Sequence, residues 1–385
     1  MKILELSDSH EHGGAAIAAN RIHASLKNTD LEIERVSSDS EKHLTLFPGR
    51  KFFLTQSFLS YFGLNKIIEV LLTNEIKRQF LLLLQKTEPD VIHFHNVHCA
   101  NWPIDIVKVG LNFTSVIWTL HDCWSFLGTY YPTHSPLASP YITRKKNLFW
   151  KSIQNQRNKL VAITPSMWMN NQASNSHWIG KKIRTIHNPL PAHYFKTIDR
   201  TAAKKTLGLK LDQPVVLCIS SNLDEERKGG NCLKHILNSE VTKQAQIILC
   251  GNTSEMLKFD HPNIYKMGFI KDELMLQILY SASDILVHPA PIDNLPNTVA
   301  ESLSAGTPVL AFKSGGLPEM VIHGKTGWLA QNTNEESLVN ELLKIIASKS
   351  HENLRKSSQL TALELFDEKK IAKQYLEEFN ALCLD

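Results

Sequence analysis

The sequence lacks the features that mark several large classes of protein. Its six cysteines are scattered without a C-x-x-C spacing, which argues against a zinc ribbon or a disulfide framework and favours reduced thiols in a cytoplasm. No apolar run approaches the roughly 20 residues of a membrane-spanning helix. The N-terminal segment MKILELSDSH turns polar after six residues, so we expect a first strand there and not a signal peptide.

An excess of charge of one sign is also missing. The chain carries 42 Lys and Arg against 38 Asp and Glu, a net charge of +4. Over 385 residues this predicts at most a local basic patch, and since no recognition module is evident we expect no nucleic-acid partner. The content of 43% hydrophobic and 21% charged residues is typical of a globular protein, and the length suits two domains.

Short apolar runs alternate with helical patterns along the chain. In the first half they predict strands at 2–7, 31–38, 91–96, 115–122, 160–166 and 183–189. In the second half they predict strands at 215–220, 245–251, 263–268, 284–289 and 308–312. This alternation favours two doubly wound domains with parallel sheets covered on both faces. The polar, Lys-rich stretch 196–213 is expected to be the linker.

The segments that follow four of these strands are polar or rich in glycine. They read DSHEHGGAA, DCWSF, SNLDEERKGG and APIDNLPNT. In doubly wound sheets ligands bind at the carboxyl ends of the strands, so these segments together predict a cleft between the two domains.

Two glycine-containing turns suit an anion. Gly13 and Gly14 open a helix after the first strand, where the backbone can approach a ligand closely; an ordinary strand-to-helix turn is the alternative. No G-x-G-x-x-G follows, so this is not the usual dinucleotide fingerprint. Arg227 and Lys228 precede two more glycines, which indicates either a diphosphate clamp or, because three acidic residues come first, a solvated charged loop.

Two carboxylates flank a predicted helix start in PIDNLPNTVAESLSAGTPVLAF. The helix is expected to begin near Asn297 and to stop at Gly306, with Asp293 before it and Glu301 about one turn inside. Unpaired amides near Asn297 and Thr298 suit a phosphate, whereas carboxylates suit the hydroxyls of sugars. We therefore expect the two acids to hold two sugar rings with a diphosphate between them.

Histidines form a third set of candidates. His121 ends a predicted strand, where it can donate to a reacting sugar or bear charge near it, although a lone histidine is more often structural. The adjacent Asp122 does not by itself make a dyad with it, because neighbours on a strand point to opposite faces. The run HFHNVH brings His93, His95 and His98 close together, but no third ligand of sound geometry is evident, and we expect no metal site.

The glycine pair, TLHDCW, RKGG and LYSASDILVHPAPIDNLPNTVAESLSAGTPVLAFKSGGLPEMVIHGKTGWL together resemble the retaining glycosyltransferases of family 4. The resemblance covers nearly the whole chain. Within the family, the chain is most similar to the branch of enzymes encoded in bacterial exopolysaccharide and colanic-acid gene clusters. It implies the α/β GT-B fold, two Rossmann-like doubly wound domains facing a central cleft. Residues 1–195 would form the acceptor-side domain and 196–366 the nucleotide-sugar domain, with a helix at about 367–385 packing back on the first.

The resemblance also implies roles for particular residues. Asp293 would bind hydroxyls of the donor sugar, Glu301 the ribose and Lys228 the diphosphate. The implied catalytic residues are His121, Lys228 and Asp293. The implied donor-binding residues are Gly14, Asn222, Arg227, Lys228, Gly268, Ile270, Asp293, Asn297, Thr298 and Glu301. Asn222 stands where the family commonly has an arginine, and whether Arg227 supplies that charge stays open; Asp293 replaces the usual glutamate.

The implied reaction moves a sugar from a nucleoside diphosphate, of UDP or GDP type, to an acceptor hydroxyl with retention of configuration. The acceptor would be a carbohydrate or lipid-linked molecule in cell-surface polysaccharide or glycolipid assembly. Because no Asp-x-Asp is present, no metal and no further cofactor are expected. Replacing Lys228 or Glu301 by alanine should abolish most of the transfer and leave the fold intact. The alternatives are another GT-B enzyme, such as a nucleotide-sugar epimerase, and a catalytically inert GT-B partner subunit, which Asn222 keeps open.

Two stretches of the first half mix apolar and basic residues. They are 50–86 and 144–160, the second containing Phe149 and Trp150 among cations. Such a mixture suits the anionic inner face of a membrane, where a cytoplasmic protein would meet lipid-linked acceptors. The alternative is that the apolar residues are the buried faces of helices and the cations a solvated rim.

Overall fold

A computed structural model describes residues 1–10, 13–38, 65–100, 102–132, 138–156, 159–348 and 352–384. The first sheet consists of β1 (Lys2–Ser7), β2 (Glu32–Ser37), β3 (Val91–Phe94), β4 (Ser115–Thr119), β5 (Leu160–Thr164) and β6 (Lys182–Thr185). Its strand order is β2-β1-β3-β4-β5-β6, and all of these pairs are parallel. Strands β3 and β5 are buried along their whole length, as expected for a sheet covered on both faces.

The second sheet repeats this architecture. It consists of β7 (Val215–Asn222), β8 (Gln246–Asn252), β9 (Ile264–Gly268), β10 (Ile285–His288), β11 (Val309–Phe312) and β12 (Gly327–Ala330), in the order β12-β11-β10-β7-β8-β9. The prediction of two doubly wound parallel sheets is therefore confirmed. Strand β12 was not predicted, because its four residues, GWLA, form too short a run to show a pattern.

Helices cover both sheets. Those of the first half are α1 (Gly14–Leu26), α2 (Asn65–Thr87), α3 (Asp105–Phe113), α4 (Trp124–Leu127), α5 (Pro140–Ser152) and α6 (Met167–Ser174). Those of the second half are α7 (Arg200–Thr206), α8 (Gly230–Leu237), α9 (Val241–Gln244), α10 (Glu273–Ala282), α11 (Asn297–Ser304), α12 (Leu317–Met320), α13 (Glu335–Ala347), α14 (Glu352–Phe366) and α15 (Glu368–Leu384). Among the described residues, no helix combines the length and the apolar character needed to span a membrane.

The last helix, α15, packs on the first sheet although the residues before it belong to the second. Tyr375 and Phe379 are fully buried in a cluster with Ile3 of β1. Burying an aromatic side chain of this size stabilises the fold by about 1.5–3 kcal/mol. The chain thus returns to its first domain at its C-terminal end, while the exact domain bounds remain a prediction.

The expected linker is partly a helix of the second domain. Helix α7 lies inside the stretch 196–213, and its Lys204 is 3% exposed. The ammonium group of Lys204 donates to the Asp284 carboxylate at 3.2 Å, just before β10. The Lys-rich composition therefore marks a helix with one buried cation and not a solvated connector.

The basic and apolar stretches of the first half are only partly surface. Phe149 and Trp150 of α5 are 3% and 5% exposed and belong to the core, so these two aromatic side chains are buried helix faces and are not available to a membrane. Leu148 of the same helix is 59% exposed, as is Val70 of α2. Residues 50–64 of the first stretch lie outside the described residues.

Candidate active site

Asp293 lies between β10 and α11 at the carboxyl edge of the second sheet and is 5% exposed. One carboxylate oxygen accepts a hydrogen bond from Lys228 Nζ at 2.8 Å and lies 3.4 Å from His288 Nε2. The other oxygen accepts from the Tyr131 hydroxyl of the first domain at 2.9 Å. Burial raises the pKa of Asp293, but Lys228 and His288 outweigh it and hold the pKa well below its usual range. The carboxylate is therefore ionised.

Two glycines hold the backbone of Asp293 in place. Gly315 has φ of +59°, and a Cβ on it would lie 2.0 Å from the carbonyl oxygen of Asp293. The amide of Gly316 donates to that same oxygen at 3.0 Å. Because only glycine fits this approach, the segment KSGGLPE supports the acid from behind.

Glu301 lies on α11 and is 5% exposed. One of its oxygens accepts from Arg21 Nη2 of α1 at 2.6 Å, and the other accepts from the Tyr280 hydroxyl at 2.7 Å. Arg21 also donates to the Tyr194 hydroxyl at 3.0 Å. Glu301 is thus held by an ion pair from the other domain, a contact that the amphipathic pattern of α1 does not signal.

The start of α11 meets the glycine turn of α1 across the two domains. No side chain caps the N-terminus of α11, which follows Pro296. The side-chain amide of Asn297 donates to the carbonyl oxygen of Gly14 at 3.0 Å, and Thr298 beside it is half-buried. Gly13 has φ of +92°, a conformation that favours glycine. The two segments expected to face phosphates therefore lie together.

The candidate donor-binding residues that follow β7 and β9 do not all lie beside Asp293. Lys228 ends a short 3₁₀ helix and contacts Asp293, whereas Arg227 donates to Glu225 at 2.9 Å. The Asn222 side chain accepts from a backbone amide of its own loop at 2.9 Å. A further pair lies at the end of the edge strand β9, where Gly268 has φ of +67° and Ile270 packs on the core of the second domain.

His121 follows β4 at the edge of the first sheet and is 9% exposed. Its Nε2 lies 3.1 Å from Nδ1 of His95, and its carbonyl oxygen accepts from the Asn294 side chain at 2.9 Å. Burial, followed by the nearby His93 and His98, lowers the pKa of His121 to about 3. At neutral pH the imidazole is uncharged, so it can donate or accept a hydrogen bond but carries no positive charge.

The neighbouring Asp122 faces other partners. It accepts from the amide of Trp124 at 2.8 Å and from the Asn96 side chain at 3.3 Å, and it lies 3.5 Å from His98 Nε2. Burial raises the pKa of Asp122 to about 7. These contacts differ from those of His121, so the two neighbours do not form a dyad.

The histidine run has a third partner that the sequence did not indicate. Glu5 of β1 is the register partner of His93 in β3, and His95, directly after β3, is two residues further along and so projects to the same side as His93. His98 is separate, beside Asp122. Glu5 is therefore a candidate third ligand beside His93 and His95 that the pattern of the sequence did not reveal.

Direct bonds hold the cleft closed. The Ser166 hydroxyl donates to the Asn294 side chain at 2.5 Å. The carboxylate of Glu319, in α12, accepts from the amides of Met167 and Trp168 at 2.8 Å each and so caps α6 of the other domain. The residues at the cleft that sequence reasoning missed are Arg21, Tyr131, Tyr194, Tyr280, His288, Asn294 and Glu319. Their patterns of burial and charge are those of ordinary core and surface residues.

Comparison with solved structures identifies the class of fold. Alr3699/HepE from Anabaena, solved in complex with UDP-glucose, superposes with a TM-score of 0.70 at 20% sequence identity. The alignment covers 99% of this chain and 100% of that one. The chain therefore has the GT-B fold, as the resemblance implied.

Comparison with sequences adds the kind of domain. Residues 213–348 match the family model described as Glycosyl transferases group 1. The chain is 21% identical over 202 residues to N-acetyl-alpha-D-glucosaminyl L-malate synthase of Bacillus anthracis, covering 51% of this chain and 52% of the relative. It is 24% identical over 169 residues to the amylovoran biosynthesis glycosyltransferase AmsK of Erwinia amylovora, covering 42% and 37%. The matches thus span about half or less of these curated relatives.

Proposed function

We propose that this chain is a retaining glycosyltransferase of family 4 that transfers a sugar from a UDP- or GDP-sugar to an acceptor hydroxyl. The contact between Lys228 and Asp293 beside the uncapped start of α11 carries the proposal. It brings together a cation and unpaired amides for a diphosphate and an ionised carboxylate for sugar hydroxyls. The similarity to a UDP-glucose complex and to an amylovoran biosynthesis enzyme supports a nucleotide-sugar donor and a polysaccharide product.

In the proposed reaction the acceptor oxygen bonds to the anomeric carbon on the face from which the diphosphate leaves. The bond between that carbon and the diphosphate oxygen breaks, and the acceptor proton passes to that diphosphate oxygen. Lys228 and the N-terminus of α11 stabilise the negative charge that develops on the leaving group. The neutral His121 donates a hydrogen bond to the transferred sugar, and Asp293 accepts from its hydroxyls.

When the donor binds, the contact between Lys228 and Asp293 must break, so that Lys228 can bind the diphosphate and Asp293 can bind the sugar hydroxyls. Their contact at 2.8 Å orients both groups, and Asp293 is 5% exposed. Since Lys228 occupies the place of a diphosphate cation, the proposal includes no metal ion at the diphosphate. Added Mg²⁺ or Mn²⁺ is expected to leave the rate of transfer unchanged.

The test is a thermal-shift screen of nucleoside diphosphates and their sugars, followed by a hydrolysis assay with the donor that stabilises most. Lys228→Ala should lower kcat/KM by about 30- to 1000-fold, equivalent to about 2–4 kcal/mol of transition-state binding. Lys243→Ala, which removes an exposed lysine paired with Glu240, is the control, and its kcat/KM should equal that of the wild type. If the protein bound a nucleotide sugar but neither hydrolysed nor transferred it, the proposal that it is an enzyme would be contradicted and an inert partner subunit would be indicated.

We also propose that the acceptor is lipid-linked and is met at the cytoplasmic face of an anionic membrane. Helix α5 exposes Leu148 beside Arg144 and Lys151, a mixture that suits anionic lipid. The protein should sediment with anionic vesicles and be released by high salt, and Arg144→Glu with Lys151→Glu should weaken this, unlike Lys243→Glu. Equal binding to neutral and anionic vesicles would exclude an acceptor site at an anionic membrane.

A further inference from the structure

Three buried side chains converge within the first sheet, directly behind His121. Glu5 of β1 and His93 of β3 are register partners, and His95, directly after β3, projects to the same side as His93. Their exposed fractions are 0%, 0% and 1%. One possible ligand atom from each of Glu5, His93 and His95 lies within 4.8 Å of the other two. Two imidazoles and a carboxylate thus point at one small volume.

Three polar atoms of this cluster, Glu5 Oε1, His93 Nδ1 and His95 Nε2, have no hydrogen-bond partner among the residues that the structure describes. His93 Nδ1 and Glu5 Oε1 are 3.7 Å apart, which is beyond hydrogen-bond distance. A buried polar atom without a partner costs about 1–3 kcal/mol. Three such atoms in one buried cluster are best explained by a shared partner.

The other polar atom of each of these side chains is held from outside. The three contacts are Glu5 Oε2 with His23 Nδ1 at 2.6 Å, His93 Nε2 with the Thr119 hydroxyl at 2.8 Å, and His95 Nδ1 with His121 Nε2 at 3.1 Å. At metal centres, hydrogen bonds of this kind fix the orientation of the ligands and are as important as the ligands themselves. The arrangement therefore has both a set of ligand atoms and the groups that orient them.

We propose that Glu5, His93 and His95 bind a divalent first-row transition metal ion of the Zn²⁺ class. Two imidazoles and one carboxylate suit this ion and leave a fourth position for water. Bonds of about 2.1 Å would place the ligand atoms about 3.4 Å apart in a tetrahedral site, so atoms that now lie up to 4.8 Å apart would move closer by up to about 1.4 Å when the ion binds. This ion is separate from the donor diphosphate, whose charge Lys228 balances.

The metal centre also sets the tautomer of His121, an argument that rests on the proposed function. An ion on Nε2 of His95 leaves the proton of this ring on Nδ1, which then donates to His121 Nε2. Because His121 Nε2 accepts this hydrogen bond, the His121 ring carries its own proton on Nδ1. His95 is thus a positioning residue that prepares His121 to donate a hydrogen bond.

Metal content tests the proposal without any assay of transfer. The untagged full-length chain is purified without chelators, reconstituted with Zn²⁺ after mild stripping, and analysed by plasma mass spectrometry. About one ion per chain is expected, and His93→Gln and His95→Gln should each lower this at least tenfold. His235→Gln, which changes an exposed histidine far from this cluster in the sequence, is the control and should keep the ion.

X-ray absorption spectroscopy of the unmodified protein covers the case in which these variants fail to fold. Nitrogen and oxygen ligands at about 2.0–2.1 Å with two imidazoles are expected. The proposal would be overturned if the wild-type chain bound less than a tenth of an equivalent of metal, or if His93→Gln and His95→Gln retained the ion. It would also be overturned if electron density in a crystal structure of the Zn²⁺-treated protein showed only an ordered water between the three side chains. Loss of transfer with an intact metal centre would instead count against the proposed function alone.

Discussion

At the scale of single residues, the ion pair between Arg21 and Glu301 changes the expected effect of removing the acid. The side chains are each 7% exposed and 2.6 Å apart. Leaving one partner of a buried pair without the other costs about 3–5 kcal/mol. The sequence alone predicted that Glu301→Ala would leave the fold intact, but the structure gives a reason to expect a stability loss as well as a functional one.

We therefore predict that Glu301→Ala lowers the free energy of unfolding by about 3–5 kcal/mol, because it leaves the Arg21 guanidinium buried and unpaired. Urea denaturation measures this. The matched control is Glu75→Ala, which breaks a pair with Arg78 whose side chain is 61% exposed, and it should cost less than about 1 kcal/mol. Similar losses for both variants would contradict the role of burial.

Lys146 gives a second prediction at this scale. Its ammonium group lies 3.4 Å from the centre of the Trp124 ring and donates to the carbonyl oxygen of Trp124. Burial lowers the pKa of Lys146 to about 7. An unfolded lysine has a pKa of about 10.4, so unfolding takes up a proton between these values. Stability contributed by this group therefore rises with pH in that window.

The free energy of unfolding should accordingly rise by about 2 kcal/mol more between pH 7 and pH 9 in the wild type than in Lys146→Met. Urea denaturation of both proteins at the two pH values provides the comparison. Subtracting the pH dependence of Lys146→Met from that of the wild type removes the contributions of the other titrating groups, which are the same in both proteins. A Lys146→Met variant with the same pH dependence as the wild type would show that Lys146 titrates normally.

At the scale of elements, the C-terminal helix α15 belongs by its contacts to the first domain. Besides its buried aromatic face, it pairs Glu378 with Lys182 at 2.6 Å and with Arg184 at 3.1 Å, both in β6. The helix therefore covers a face of the first sheet that would otherwise expose apolar side chains.

Phe379→Ala should lower the free energy of unfolding by about 3–5 kcal/mol, because it opens a cavity in this contact. Leu363→Ala is the matched control in α14, where Leu363 is 46% exposed and should cost less than about 0.5 kcal/mol. Thermal and urea unfolding of both variants give the comparison. If the two variants lose the same stability, the contact of α15 with the first sheet contributes nothing specific.

At the scale of the whole molecule, closure of the cleft depends on contacts that cross between the domains. Glu319 is one that lies outside the proposed donor site, since it caps α6 through the amides of Met167 and Trp168. A lost helix cap costs about 0.5–2 kcal/mol. Because Glu319 and α6 belong to different domains, this loss would destabilise the closed arrangement of the two domains relative to an open one.

Glu319→Ala should therefore shift the protein towards an open form, with a larger radius of gyration in small-angle X-ray scattering. A saturating nucleoside diphosphate should restore part of the closed form, because binding the closed state shifts the population towards it. Glu336→Ala, an exposed acid in the first turn of α13, should leave the radius unchanged. An unchanged radius for Glu319→Ala would show that this cap does not control closure.

The sequence by itself determined the local features. The alternation of apolar runs determined two doubly wound sheets, and Pro296 and Gly306 marked the ends of α11, which the structure places at Asn297–Ser304. The Gly13–Gly14 turn was also read correctly as the start of α1. These features depend on residues that are near each other in the chain, so periodicity and backbone preference are enough to reveal them.

Only the tertiary structure decided which distant residues meet. The parallel register of β1 and β3 places Glu5 beside His93, and the closed cleft joins Arg21 to Glu301 and Tyr131 to Asp293. A pattern along one strand or helix fixes the face that each residue occupies, but not which strand lies beside it or how the domains approach. Those choices depend on packing and on the balance of buried charges across the whole molecule, which local periodicity does not encode.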